Sequence, residues 1–128
     1  MILGDTIVAP ATPFGHSGVA VTRISGPKSF PIINQLSKKR GFTNRLATVC
    51  SILDSDGNTI DKCVVTVYKK PGSYTGEDVV EISSHGSPTT VQYIISSVCA
   101  AGARTAEAGE FTKRAFLNGK LDLVQVEA

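Results

Sequence analysis

Three charged residues stand where the sequence pattern predicts strands or a tight bend, and their chemistry suits the recognition of a polar ligand. Arg23 and Glu81 each lie inside a segment that alternates as a strand does, and Lys120 follows an Asn-Gly bend. A charge on a covered sheet face is costly unless it is paired or bound to a ligand. The alternative is an edge strand or a solvent-facing side of the sheet, where charges are ordinary.

Other polar residues allow two interpretations each. His85 precedes a glycine at a strand end, so it is either a hydrogen-bonded core residue or a ligand contact. His16 lies in a glycine-containing turn, and we expect it to be solvated and not catalytic. Four further charged residues are either part of a site or ordinary partners of helix ends, namely Glu77, Asp78, Glu110 and Arg114.

Several classes of active site are excluded because their motifs are missing. The sequence has no Walker loop, no His/Glu metal constellation, no nucleophile elbow and no dinucleotide fingerprint. We therefore predict no catalytic residue and no metal site in this chain. Cys50, Cys63 and Cys99 are odd in number and lack a C-x-x-C spacing, which predicts buried free thiols in a reducing compartment.

The composition predicts one packed domain. The 128 residues are 41% hydrophobic and 19% charged, which argues against disorder. The formal net charge of +2 is too small for a dedicated nucleic-acid binder. No apolar stretch is long enough to span a bilayer and residues 1–10 lack the features of a signal peptide, so we expect a soluble, unexported, cytoplasmic protein.

The secondary-structure pattern predicts strands interleaved with helices. Strands are expected at 6–9, 19–25, 47–53, 60–68, 78–84 and 104–107, with an Asp-Gly turn making a hairpin of the third and fourth. One helix begins after Gly26-Pro27 and closes in Lys38-Lys39-Arg40-Gly41, and a second begins at Ser87-Pro88. The second has a buried stripe made of Val91, Ile94, Ile95 and Val98. The third opens at Gly109-Glu110-Phe111 and carries Phe111, Ala115 and Phe116.

The hairpin forbids an all-parallel sheet, so the predicted fold class is α+β (α/β), a mixed β-sheet with helices packed on it. Residues 121–128 form a helical pattern without a C-cap. We therefore expect the chain to stop inside a helix of a longer protein.

Long motifs in a consistent order carry a family resemblance. They are residues 5–9, 11–13, 23–27, 74–81, 85–86 and 109–123, which include RISGP, YTGEDVVE and GEFTKRAFLNGKLDL. Across essentially the whole chain these motifs resemble the N-terminal domain of the MnmE (TrmE) family of tRNA modification GTPases. The chain departs from the common pattern at His16-Ser17 and at Glu107-Ala108.

The resemblance implies a domain organisation. Residues 1–120 would be a tetrahydrofolate-binding and dimerisation domain, similar in fold to the folate-binding domain of T-protein-like enzymes. Residues 121–128 would begin a helical domain, into which a GTPase domain that uses Mg²⁺ and K⁺ is inserted in the family. The full-length protein would hydrolyse GTP, and this 128-residue chain is not expected to do so.

The resemblance also implies partners and a reaction. The family forms homodimers and works with the FAD-containing protein MnmG in a heterotetramer that acts on tRNA. Together they add a carboxymethylaminomethyl or aminomethyl group at carbon 5 of the wobble uridine. A tetrahydrofolate derivative, 5-formyl- or 5,10-methylene-tetrahydrofolate, supplies the one-carbon unit. No membrane partner is implied.

By motif, the family's folate-contacting positions fall on Arg23, Glu81 and Lys120. A carboxylate such as Glu81 can accept parallel hydrogen bonds from the pterin amino group and ring N–H. Arg23 and Lys120 suit carbonyl oxygens or glutamyl carboxylates. Two alternatives stay open: a dimerisation scaffold whose folate site needs the helical domain, and direct tRNA binding through Lys38-Lys39-Arg40 and Lys69-Lys70.

Overall fold

A computed structural model describes residues 4–13 and 17–120, which form one mixed sheet with helices on it. In chain order the elements are β1 (Ile7–Pro10), β2 (Ser17–Ser25), α1 (Ser29–Ser37), β3 (Thr48–Leu53), β4 (Thr59–Tyr68), β5 (Val79–Gly86), α2 (Pro88–Ala100), β6 (Arg104–Thr105) and α3 (Glu110–Leu117). The predicted helical segment 121–128 and His16 lie outside the described residues.

The strand order in the sheet is β3-β4-β5-β2-β1-β6. Every neighbouring pair is antiparallel except β1 with β6, which confirms the predicted mixed sheet. The predicted hairpin is also confirmed. Its turn contains Gly57 at a φ of 85°, and the Asp54 carboxylate accepts the backbone N–H groups of Asp56 and Asn58 at 3.0 and 2.9 Å.

The hydrophobic core lies between one face of the sheet and helices α1 and α2. Val80 and Ile82 of β5 are fully buried there, while Glu81 between them points to the opposite face, as the alternation predicts. The predicted stripe of α2 is buried in full, and α1 contributes Ile32, Ile33 and Leu36. Because neighbouring side chains of β5 face opposite sides, the same strand that builds the core also displays Glu81.

Helix α1 ends within the segment predicted to close it, residues 38–41. Its C-cap is Lys38, which adopts the left-handed conformation at a φ of 57°. Local backbone geometry at Lys38 therefore ends the helix before the glycine. The strand expected at 104–107 is shorter than predicted and covers only Arg104–Thr105.

Gly26 is required by the packing of the chain start against the end of β2. It has a φ of 135°, and a Cβ at this position would lie 2.6 Å from the Asp5 carbonyl oxygen. Only glycine avoids both problems. The close approach brings residues 5 and 6 beside the start of α1, where the Thr6 hydroxyl accepts the Lys28 N–H at 2.8 Å.

The cysteines follow the prediction of free thiols, with one difference in burial. Cys50 and Cys63 are buried opposite each other on β3 and β4, whereas Cys99 is only half-buried. Burial, with the nearby charge of Asp61, raises the pKa of Cys63 to about 12. Within residues 4–13 and 17–120, no group of three His, Cys, Asp or Glu residues is placed to hold a metal ion. In the same residues, no helix is long and apolar enough to cross a membrane.

Candidate ligand-binding site

The face of the sheet opposite α1 and α2, here called the open face, carries three rows of side chains across the strands. The first row contains Val49, Val64, Ser83 and Val21. The second contains Thr66, Glu81, Arg23 and Ala9. The third contains Tyr68, Val79, Ser25, Ile7 and Arg104. We call the first the apolar row and the second the ligand row. The ligand row therefore lies between an exposed apolar strip and the end of the sheet near α3.

Arg23 and Glu81 are paired directly across β2 and β5. The Nε and Nη2 atoms of Arg23 donate to the same Glu81 oxygen, Oε2, at 3.0 and 2.9 Å. The two side chains are 25% and 26% exposed, so solvent or a ligand can reach them. The other oxygen, Oε1, accepts no hydrogen bond from the residues that the structure describes. Glu81 thus keeps hydrogen-bonding capacity that Arg23 does not use.

Two aromatic rings flank the Arg23 guanidinium. Its Cζ atom lies 5.1 Å from the centre of the Tyr74 ring and 5.8 Å from that of Phe111. Tyr74 comes from the loop before β5 and Phe111 from α3, and the Tyr74 hydroxyl is 3.0 Å from the Thr112 hydroxyl. The pair of charges is therefore bordered by flat apolar surfaces held on two separate elements.

Lys120, the third predicted residue, lines a cleft together with Tyr74. Its Nζ donates to the Pro71 carbonyl oxygen at 3.0 Å, and both Tyr74 and Lys120 line an open cleft of about 360 Å³. The structure therefore brings Arg23 and Glu81 together and connects Lys120 to them through Tyr74. It shows no contact between Lys120 and either of the other two.

The segment after α3 is fixed against the Tyr74 loop. Asn118 donates from its side chain to the Thr75 carbonyl oxygen at 2.9 Å. Gly76 faces it at a φ of 81°, and a Cβ there would lie 2.8 Å from the Asn118 Cβ. Because glycine allows this close approach, the loop and the end of α3 position Lys120 together.

Beside and within α3 lies a cluster of five charged residues, which we call the ion cluster: the buried residues Glu110 and Arg114, and the half-buried residues Asp5, Glu77 and Arg104. Arg114, only 1% exposed, donates to the Asp5 carboxylate at 2.6 Å, to Glu77 at 3.1 Å and to Glu110 at 3.2 Å. Arg104 donates hydrogen bonds to both oxygens of Glu110, at 2.8 and 2.6 Å, and also forms an ion pair with Asp5. These contacts compensate the cost of burying the charges.

The arginines of the ion cluster lower the pKa values of two of its carboxylates, Asp5 and Glu110. The hydrogen bonds from Arg104 outweigh burial and lower the pKa of Glu110 to about 2, with further help from the Glu107 N–H and Arg114. The Arg104 hydrogen bonds likewise keep the pKa of Asp5 below its ordinary value, although burial opposes them. Burial opposes the charge of Arg114, but its bonds to Asp5 and Glu77 raise its pKa nonetheless.

The ion cluster connects the elements that carry the two aromatic rings. Glu77, three residues after Tyr74, accepts hydrogen bonds from Arg114 of α3 and from the Ser25 hydroxyl at the end of β2, the latter at 2.7 Å. Tyr74 and Phe111 are thereby anchored to the strand that carries Arg23. We infer that the cluster positions the walls of the site.

Glu77, Glu110 and Arg114 are each ambiguous in the sequence, and no cluster is predicted from it. The available signal was the spacing of Glu110 and Arg114, which places them on one face of a helix. In the structure these two residues and Ala115 form the buried face of α3, whereas Phe116 is 39% exposed. Asp78 does not join the cluster, and its carboxylate accepts the Lys70 N–H at 2.9 Å.

His85 is not a core residue, so that interpretation is wrong. Its side chain is 76% exposed, and its Nδ1 lies 2.9 Å from the Asp61 carboxylate on β4. Asp61 also accepts the His85 backbone N–H at 2.9 Å, in the place of a ladder bond. Burial raises the pKa of Asp61, and the His85 bonds outweigh this so that the net change is downward.

Comparison with known proteins gives one consistent result. Residues 6–120 match the family model described as GTP-binding protein TrmE N-terminus. Three similar proteins bear the name tRNA modification GTPase MnmE. They come from Legionella pneumophila (strain Paris), 49% identical over 97% of the chain, and from Helicobacter pylori (strain J99) and Francisella tularensis subsp. novicida, 48% and 51% identical over all of it. The chain spans 28% of the length of each.

Proposed function

This chain belongs to the family of TrmE N-terminal domains, and we propose that it is the folate-binding and homodimer-forming module of a tRNA modification GTPase. The ligand would be a tetrahydrofolate derivative, with Arg23, Glu81 and Lys120 as its polar contacts. When bound, such a folate supplies a one-carbon unit. The residues of this chain would hold and orient it.

The observation that best supports the proposal is the hydrogen bonding of the Glu81 carboxylate. One oxygen of its carboxylate is occupied by Arg23, and the other has capacity for two more hydrogen bonds. A pterin presents an amino group and a ring N–H side by side, which are two donors for a carboxylate. The donors and acceptors of the site therefore fit this ligand.

The surroundings of the pair support the same ligand class. Arg23 anchors one oxygen of the Glu81 carboxylate with both of its hydrogen bonds and leaves the other oxygen for a ligand. Tyr74 and Phe111 offer ring faces to the apolar surface of a flat heterocycle. A flat ligand with hydrogen-bond donors along one edge would use both features.

The apolar row supports homodimer formation. Val49 is 60% exposed and Val64 is 37% exposed, and Val19 beside them is 60% exposed. Exposed valines on neighbouring strands of one face are costly in water and suit a second copy of the same face. Because this strip adjoins the ligand row, dimerisation would bring two folate sites near the interface.

The activity of the whole protein rests on the relatives. Their name implies GTP hydrolysis and tRNA modification for the full-length proteins, and this chain corresponds to 28% of their length. We propose that this chain serves such a protein, which would act with MnmG on the wobble uridine. GTP, Mg²⁺ and K⁺ would be bound outside the residues described. The exposed clusters Lys38-Lys39-Arg40 and Lys69-Lys70 have no feature that favours a separate tRNA site.

The test is titration calorimetry of the purified chain with 5-formyltetrahydrofolate, with light scattering on the same sample. Saturable binding by a dimer is expected. Glu81→Gln should weaken it by about 1–3 kcal/mol, because a charge-assisted acceptor is lost. Glu107→Gln, an exposed glutamate away from the ligand row, should bind like the wild type. A folded dimer that binds no folate would favour the scaffold alternative.

A further inference from the structure

Arg45 adopts an unusual backbone conformation, and hydrogen bonds fix its loop to the chain on both sides of Tyr68. It is one of two non-glycine residues with positive φ among those described, at 65°. Its N–H donates to the Val67 carbonyl oxygen at 2.8 Å, and the Asn44 side chain accepts the Lys69 N–H at 2.8 Å. The loop is thus tied to β4 immediately before and after Tyr68. Such a conformation persists only where surrounding contacts enforce it.

The fixed loop places the Arg45 guanidinium above the open face. Its Cζ lies 5.7 Å from the centre of the Tyr68 ring, and Tyr68 belongs to the row next to Glu81. Arg45 and Tyr68 line the same 360 Å³ cleft as Tyr74 and Lys120. We call this the basic cleft, because Arg45 and Lys120 both line it.

The basic cleft has positive charge without internal compensation. Neither Arg45 nor Lys120 forms an ion pair with any carboxylate of residues 4–13 and 17–120. No acidic residue lines the cleft, and the two tyrosines supply apolar surface. An arginine fork beside a lysine suits a ligand with several carboxylates.

The basic cleft opens beside the proposed folate site, with Tyr74 shared between them. One side of Tyr74 faces Arg23, and the residue also lines the cleft with Lys120. A ligand held by Glu81 and extending past Tyr74 would therefore enter the cleft that the two cations line.

We infer that the basic cleft binds the poly-γ-glutamyl tail of the folate, with Arg45 as a binding residue for the carboxylates beyond the first glutamate. The inference rests on the proposed folate site. It predicts a preference for long-tailed folates, because each added glutamate brings another carboxylate toward Arg45 and Lys120. Attraction between partly exposed charges is modest and falls with salt.

The experiment compares 5-formyltetrahydrofolate carrying one glutamate with the same compound carrying three. Triglutamate should bind about 5-fold more tightly at low salt. In Arg45→Gln this preference should fall to about 2-fold or less, while the affinity for the monoglutamate changes little. Arg40→Gln removes the same charge from an exposed position outside the cleft and should keep the full preference.

The outcomes separate the two proposals. Equal affinity for the two compounds in the wild type, or an undiminished preference in Arg45→Gln, overturns the inference and leaves the folate site standing. If neither compound binds the folded chain, both proposals fail together. If Arg45→Gln keeps the preference but loses tRNA binding, the basic cleft recognises phosphate, and the inference is overturned.

Discussion

Arg114 donates to both the backbone carbonyl and the carboxylate of Asp5, at 2.7 and 2.6 Å, across 109 positions of sequence. The beginning of the described chain is thereby fastened to α3. Helix α3 also carries Phe111, which flanks Arg23. The Arg114 side chain therefore stabilises the fold and also helps to position a residue of the site.

Arg114→Met should destabilise the protein strongly. The substitution removes the cation paired with Glu77 and leaves Glu110 and Asp5 with Arg104 alone. Breaking a buried ion pair costs about 3–5 kcal/mol. Urea denaturation followed by circular dichroism measures the change. Lys113→Met, one position earlier and exposed, should shift the free energy of unfolding by less than about 0.5 kcal/mol. Similar losses in both variants would contradict a structural role for the cluster.

Stability should decline in acid because of Glu110. Its pKa is about 2 in the folded protein and close to the ordinary glutamate value of 4.5 in the unfolded chain, so the unfolded chain binds the proton first. The contribution, roughly 3 kcal/mol, is fully present above about pH 5.5 and is lost as the pH falls toward 2. Urea midpoints measured from pH 7 to pH 3 test this. In Glu110→Gln the slope should be shallower, and an unchanged slope would refute the assignment.

Arg23→Gln should reduce the free energy of folate binding more than it reduces the free energy of unfolding. Loss of the guanidinium releases the Glu81 oxygen that it anchors, which we expect to cost about 1–2 kcal/mol of binding. The pair is a quarter exposed, so the free energy of unfolding should change by less than about 1 kcal/mol. Calorimetry and urea denaturation report the two quantities. Full affinity with lowered stability would make the pair purely structural.

Val64→Asp should disrupt the dimer. The substitution puts a charge in the middle of the apolar row, where a second copy would cover it. Light scattering should show the monomer mass, with circular dichroism unchanged. Tyr93→Asp makes the same kind of change at a residue of α2 that is 61% exposed, and this variant should remain a dimer. A dimeric Val64→Asp protein would place the interface elsewhere.

The three thiols should differ in reactivity. A pKa of about 12 and nearly complete burial protect Cys63, and burial also raises the pKa of Cys50. Half-buried Cys99 should therefore react first with iodoacetamide at about pH 8, since the thiolate is the reactive form. Mass spectrometry of timed samples gives the order. In urea the three rates should converge, and equal rates in the native protein would contradict the described burial.

Much of the fold could be predicted because local patterns determine it. Strict alternation predicted which side of β5 holds Glu81, and the spacing of apolar residues predicted the buried stripe of α2. The charges Arg23 and Glu81 stood out because they interrupt those patterns. A charge inside a strand is visible from the sequence even when its partner is not.

The ion cluster and Arg45 could not be predicted in the same way. Arg114 meets Asp5 only after the sheet and α3 have formed, and no local pattern reports so distant a partner. The importance of Arg45 depends on a left-handed backbone in an irregular loop and on Tyr68 below it, neither of which has a sequence signature here. Both features arise from tertiary contacts.

The alternation along β5 also protects the protein from a particular folding error. If β5 slipped by one residue against β2, Glu81 would enter the core, and Val80 and Ile82 would face water. Such a chain would lose its hydrophobic stabilisation together with its binding site. A folded state with Glu81 on the core side of the sheet is therefore strongly disfavoured. The packing of the core thus also determines that Glu81 faces the binding site.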